Sequence, residues 1–159
     1  MPSEQHEYLS KLAAKWAKKQ GFPVVATNLT AAGSREKVDL IAFRSSCSLM
    51  IESKVSRSDF FADAKKPERV EGGVGTYRFY ITPFDMVSST EIPDGWGLLY
   101  VDGKNVIDII RPKGNLWPSI DCSVENDWRD FMHSADQEAE RAMLFSISRR
   151  LVSGQPILN

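Results

Sequence analysis

Lys37-Val-Asp-Leu-Ile-Ala-Phe-Arg44, then Ser45-Ser46, then Cys47-Ser-Leu-Met-Ile-Glu-Ser-Lys-Val55 is the stretch whose reading decides the fold. It reads as two strands joined by a short turn. Asp39 stands near the start of the first strand, Glu52 and Lys54 near the end of the second. With the turn centred between Ser45 and Ser46, antiparallel pairing sets Asp39 directly across from Glu52, and side-chain alternation puts Lys54 on the same face as Glu52. A two-residue slip keeps the three together; a one-residue slip separates them.

Acid-any-Lys triplets are common, and the chain has three: Glu52-Ser-Lys54, Asp63-Ala-Lys65 and Asp102-Gly-Lys104. Asp102 and Lys104 flank Gly103 at a hairpin tip, the usual composition of an exposed turn. Asp63 and Lys65 fall in a helical segment, where residues two apart face different ways. Only Glu52 and Lys54 lie on an apolar strand with a carboxylate on its neighbour. Two carboxylates at about 4 Å repel by roughly 4 kcal/mol at an effective dielectric near 20. A sheet built only for stability would use apolar residues there. Asp39, Glu52 and Lys54 could form a partly buried ion-pair cluster or the polar rim of a sheet, but a hard divalent cation explains the pair better: Mg²⁺ takes oxygen ligands, needs one or two carboxylates, and completes its shell with water and substrate phosphate oxygen.

Working outward, residues 3–20 form a helix, capped by Ser3, with Leu9, Leu12, Ala13 and Trp16 on one face and Gly21 and Pro23 at its end. Lys11, Lys15, Lys18 and Lys19 share the opposite face. Glu7 lies near the core-facing edge and is expected to point toward a site on the sheet. Phe22–Leu29 reads as a strand, and residues 30–36 as the loop leading into the opening hairpin. After Val55, Ser56 begins a second helix that must bend at Pro67. Residues 70–75 are glycine-rich and match no phosphate-binding P-loop. Thr76–Thr82 is a strand, Phe84–Ile92 a short helix or turn, and Trp96–Val101 with Asn105–Ile110 a hairpin around Asp102-Gly103. Residues 111–125 read as an ordered loop, and 126–152 as one long C-terminal helix. The expectation is a single domain over 1–159 of mixed α/β (α+β) class, a central mixed sheet flanked by helices, with 126–152 added to the core.

Lys and Arg total 20 against 21 Asp and Glu, a net charge of −1, so any nucleic-acid binding must come from local basic clusters. Cys47 and Cys122 form no framework and suit a reducing compartment. No apolar run approaches the ~20 residues that span a bilayer, and the start is not signal-like. These features point to a cytoplasmic protein with no membrane role. His6 and His133 have no Cys/His spacing that would suggest zinc. Tyr77, Tyr80, Trp96 and Trp117 read as core rather than base-stacking residues.

The pattern Asp39…Glu52-Ser-Lys54 on a hairpin after an N-terminal helix resembles the PD-(D/E)XK nuclease superfamily. Val38-Asp-Leu-Ile-Ala-Phe43, Ile51-Glu-Ser-Lys-Val-Ser-Arg-Ser-Asp-Phe60, Ala62-Asp63, Lys66-Pro67-Glu68, Tyr77–Ile81 with Pro83, and Pro93-Asp-Gly-Trp-Gly-Leu-Leu-Tyr100 look like the MmcB-like DNA-repair proteins and their phage relatives. The likeness covers roughly residues 36–112. Val38 stands where the superfamily name has proline, and no tryptophan follows Lys66. The resemblance implies a restriction-endonuclease-like core, Mg²⁺ or Mn²⁺ as cofactor and DNA as substrate. It implies Asp39 and Glu52 as metal ligands, Glu7 as a further acidic ligand on the first helix, and Lys54 as the catalytic lysine.

The expected function is hydrolysis of DNA phosphodiester bonds in repair, recombination or phage DNA metabolism. Arg57, Lys65, Lys66 and Arg69 are expected to grip phosphates flanking the scissile one. A protein partner for recruitment and a monomeric or homodimeric state are both compatible with the sequence. The alternative is a non-catalytic DNA- or protein-binding module on the same fold. A third reading is a phage-type protein acting through its surface, with the C-terminal helix as interaction face.

Overall fold

The computed structural model describes residues 3–30, 37–69, 71–122 and 126–158. Most of the loop expected over 30–36, together with Val70 and the end of the 111–125 loop, lies outside them.

Helix α1 (Glu4–Lys19) begins where Ser3 accepts a hydrogen bond from the His6 amide. It presents Leu9, Leu12, Ala13, Trp16 and Ala17 as a buried stripe. Strands β1 (Val24–Leu29), β2 (Val38–Phe43) and β3 (Ser48–Ser53) follow. Helix α2 (Arg57–Ala64), capped by Ser56, ends before a short 3-10 turn at Pro67–Arg69, the bend that Pro67 imposes. Then come β4 (Tyr77–Pro83), β5 (Trp96–Asp102), β6 (Asn105–Ile110) and helix α3 (Gln137–Val152).

The six strands form one mixed sheet whose spatial order follows the chain, β1 to β6. β3, β4 and β5 run parallel at the centre, and the flanking pairs are antiparallel. The α2 segment supplies the crossover that a parallel β3–β4 pair requires. Pleating divides the core in two. Leu40, Leu49, Ile51 and Phe79 pack with α1 and with Trp117 and Trp128. Ile41, Met50, Tyr80, Trp96 and Leu98 pack with Phe60 of α2 and with Ala139, Met143 and Ile147 of α3. Tyr77, Tyr80, Trp96 and Trp117 are all buried, as expected for core residues.

The continuous helix expected over 126–152 does not form. Asn126 accepts from the Trp128 amide and starts a 3-10 turn, Asp127–Phe131. The next residues bond elsewhere: the His133 amide to the Thr76 carbonyl and the Asp136 amide to the Gly73 carbonyl, each at 2.8 Å. Asp136 then caps α3 through the Ala139 amide. The break has a packing cause. Trp128 enters the α1-side core, whereas Met143 and Ile147 enter the opposite one, and one straight helix cannot reach both faces of the sheet. No described helix is long and apolar enough to cross a membrane.

Candidate functional site

β2 and β3 pair in the register Leu40↔Ile51, Ile41↔Met50, Ala42↔Leu49, Phe43↔Ser48. The next step along that ladder sets Asp39 against Glu52, the register expected from a turn at Ser45–Ser46. Asp39 and Glu52 share the face of Ile41 and Met50, toward α2. Lys54 follows on that face, its ammonium 3.9 Å from Glu52 Oε2 and 3.3 Å from Asp63 Oδ1.

Each acid has its own surroundings. Asp39 Oδ2 accepts from the Ser53 amide at 2.9 Å and lies 3.2 Å from His6 Nε2. Burial pushes Asp39 upward, but the bonds from His6, Glu52 and Ser53 outweigh it and hold the carboxyl below its ordinary value. The same bond to Asp39 raises His6 against the effect of burial. Glu52 is 3 % exposed, and burial followed by the Asp39 charge pushes it well above the ordinary carboxylate range. Burial and the neighbouring Asp39 charge act in the same direction on Glu52, making it the member of the pair pushed toward its neutral form.

Asp63, on α2, is the hub of the cluster. Burial disfavours its charge, yet Arg69 and Tyr80 overcome that and keep it ionised far below the usual range. Arg69 donates twice to it at 3.0 Å, Tyr80 donates at 2.7 Å, and Lys66 lies 3.2 Å away. Arg69 also comes within 3.5 Å of Glu52 Oε1 and lies over the Trp96 ring. An open pocket of about 310 Å³ exposes this end of the sheet, lined among others by His6, Asp39, Lys54, Asp59, Asp63 and Lys66.

The positions expected to bind DNA divide. Lys65 and Lys66 are exposed, and Lys66 reaches the pocket. Arg57 is exposed, with its guanidinium engaged by Glu91 at 2.7 and 3.0 Å and by the Met86 carbonyl. Arg69 is corrected: it is buried and serves as counter-charge to Asp63, so it does not reach a phosphate on the surface. Glu7 is exposed, and it is His6 that α1 delivers to Asp39. The spacing could have shown this, because His6 precedes Leu9, Ser10 and Ala13 by three, four and seven residues. Asp63 had a similar signal, three residues after the buried Phe60 on the sheet-facing side of α2. The glycine-rich loop is pinned rather than open. Arg78 donates to the carbonyls of Gly75, Gly72 and Glu68, and the Gly75 amide donates to Glu140.

Glu52 Oε1 is buried without a hydrogen bond, and the charge nearest to it is the Arg69 guanidinium at 3.5 Å. Among the described residues, no group of three His, Cys, Asp or Glu side chains is arranged to hold a metal ion. A cation here would take Asp39 and Glu52 as side-chain ligands and complete its shell with water, as Mg²⁺ commonly does. The donor set fits that ion chemically.

No protein-family model matches the chain, and no curated protein matches it. Among solved structures, a protein of unknown function from Silicibacter pomeroyi is similar, with a TM-score of 0.62 and 19% identity over 100% of both chains. At that identity the likeness is one of fold, and it extends over the C-terminal helix as well as the hairpin.

Proposed function

We propose that this chain is a metal-dependent nuclease hydrolysing DNA phosphodiester bonds, built on a restriction-endonuclease-like core of the PD-(D/E)XK kind. One observation carries the reading: Asp39 and Glu52 face each other across β2 and β3, with Lys54 on the same face at an open pocket. Asp39 and Glu52 hold Mg²⁺ or Mn²⁺, with Glu7 outside the set. When bound, the ion lowers the pKa of a water and stabilises charge on the phosphoryl oxygens. Lys54 is the catalytic lysine, orienting the attacking water or neutralising the phosphate. Asp63 positions Lys54, and Arg69 keeps Asp63 charged. His6 orients Asp39. Lys65, Lys66 and Arg57 contact flanking phosphates. Such an enzyme would work in the cytoplasm, in repair, recombination or phage DNA metabolism, with a protein partner compensating for the low net charge.

A second reading, a binding module that does not cut, is favoured by a different observation. The cluster's charges already pair among themselves: His6 with Asp39, Lys54 with Asp63, and Arg69 with both Asp63 and Glu52. A cleavage assay with Mg²⁺ or Mn²⁺ on single-stranded, duplex, flapped and mismatched DNA separates the two. The nuclease cuts at least one substrate and loses at least about 100-fold in rate in Asp39→Ala and Lys54→Ala. DNA affinity without cutting, independent of metal and surviving Lys54→Ala, would replace it with the binding module.

A further inference from the structure

Helix α3 has two apolar faces. One, formed by Ala139, Met143 and Ile147, is buried against the sheet. The other faces solvent and contains four large apolar side chains: Leu144, Phe145, Leu151 and Val152, exposed by 38%, 69%, 58% and 90%. At 100° per residue these four fall within about a third of the helix circumference, opposite the buried face, with Ser148 at their centre. Solvation alone does not call for such a stripe. Judged by the area large apolar side chains cover, the four expose roughly 500 Å², at the upper end of what a monomer normally shows in one patch.

The order of the residues identifies what covers it. Leu144 and Leu151 form one row of the stripe, and Phe145 and Val152 the other, both rows spaced by seven and the four residues together centred on Ser148. Turning a second α3 antiparallel about a two-fold axis at Ser148 brings Leu144 against Leu151 of the other copy and Phe145 against its Val152. Ser148 meets its own equivalent on the axis, where a small side chain lets the helices approach. An isologous interface requires this self-complementarity. The stripe contains no charge between Leu144 and Val152, so closure buries no ion; Arg149 stands to one side of it and Arg150 on the face away from it. The apolar rows and the uncharged line between them therefore match a second copy of the same helix.

We propose that the exposed face of α3 is a homodimer interface in which two copies pair antiparallel about Ser148. The two stripes together cover about 1,000 Å², the threshold that a specific interface must clear, so the dimer is a weak and reversible one. The interface uses no residue of the Asp39–Glu52 site and stands whether or not the chain cuts DNA.

Sedimentation velocity over a concentration series tests it, with circular dichroism to verify that each variant is folded. Wild type passes from monomer to dimer across the micromolar range, whereas Phe145→Asp and Leu151→Asp, both at exposed positions, remain monomeric with unchanged dichroism. In a Cys122→Ser background, Ser148→Cys forms a disulfide-linked dimer on mild oxidation, because the two-fold places that residue against its own equivalent. A wild type monomeric at about 0.1 mM, a dimer that persists in Phe145→Asp, or a Ser148→Cys variant that does not cross-link overturns the proposal.

Discussion

Asp63 and Arg69 meet through two hydrogen bonds of 3.0 Å, Nε to Oδ2 and Nη2 to Oδ1, with both side chains buried. The second helix thereby carries a fixed anion to the sheet, and Lys54 of β3 is drawn 3.3 Å from it. The lysine is held by α2 at least as much as by its own strand, since Glu52 is farther, at 3.9 Å.

Replacing Asp63 by Asn leaves the Arg69 guanidinium buried beside a neutral amide. Breaking a buried pair from one side costs about 3–5 kcal/mol. Urea unfolding of Asp63→Asn near neutral pH should show a loss of that order. The loss should shrink in acid: Asp63 is depressed on folding, so its contribution is complete above the unfolded carboxylate value and fades as pH falls toward the folded one.

Glu52 behaves oppositely. Its folded value is raised, so its contribution is present below the unfolded value and is lost as pH climbs through the folded one. Glu52→Gln, an isostere of the protonated form, should be at least as stable as wild type at neutral pH and should remove this alkaline decline. Thermal melts of the two proteins over a pH series measure it; a Gln variant destabilised by several kcal/mol would show that Glu52 is ionised in the free protein.

Metal binding should share that proton. A cation on Asp39 and Glu52 must displace it, so Mn²⁺ affinity rises with pH until Glu52 ionises in the free protein. Titration calorimetry in buffers of different ionisation enthalpy should detect proton release on binding. Asp39→Ala and Glu52→Gln should each abolish the heat, and the rise in melting temperature that Mn²⁺ gives wild type should vanish with it.

Gly75 and Gly103 offer a comparison of two left-handed glycines. A Cβ at Gly75, where φ is +95°, would lie 2.8 Å from Met50 Cβ, whereas at Gly103, with φ +62°, it meets nothing within 4 Å. Gly75→Ala should cost at least about 2 kcal/mol, backbone strain adding to overpacking. Gly103→Ala should cost nearer 1 kcal/mol, the backbone term alone. Denaturation midpoints of the two variants give the ranking directly.

The hairpin was readable because its two strands alternate cleanly and its turn is short. Both properties are local, and together they set the Leu40↔Ile51 register. Tyr77–Pro83 and the Asp102-Gly103 hairpin were equally legible, by β-branched and aromatic content in one case and turn chemistry in the other. The C-terminal segment misleads for the reason that helps elsewhere. Trp128, Phe131, Met132 and Ala135 continue the helical period of α3, but periodicity does not state which side of the sheet each residue must reach.

Sequence alone thus determined the strands, the acid pair and the lysine's face, because chain spacing and side-chain alternation dictate those within a hairpin. Tertiary structure decided everything that depends on elements distant in sequence. His6 rather than Glu7 meets Asp39 because α1 crosses the end of the sheet at a particular rotation. Arg69 turns inward because Asp63 and Trp96 provide a charge and a ring for it in the core. Glu52 is pushed above the ordinary carboxylate range because burial and the nearness of Asp39 act together. These outcomes depend on desolvation and on distances between packed elements, and neither is set by the local pattern of residues.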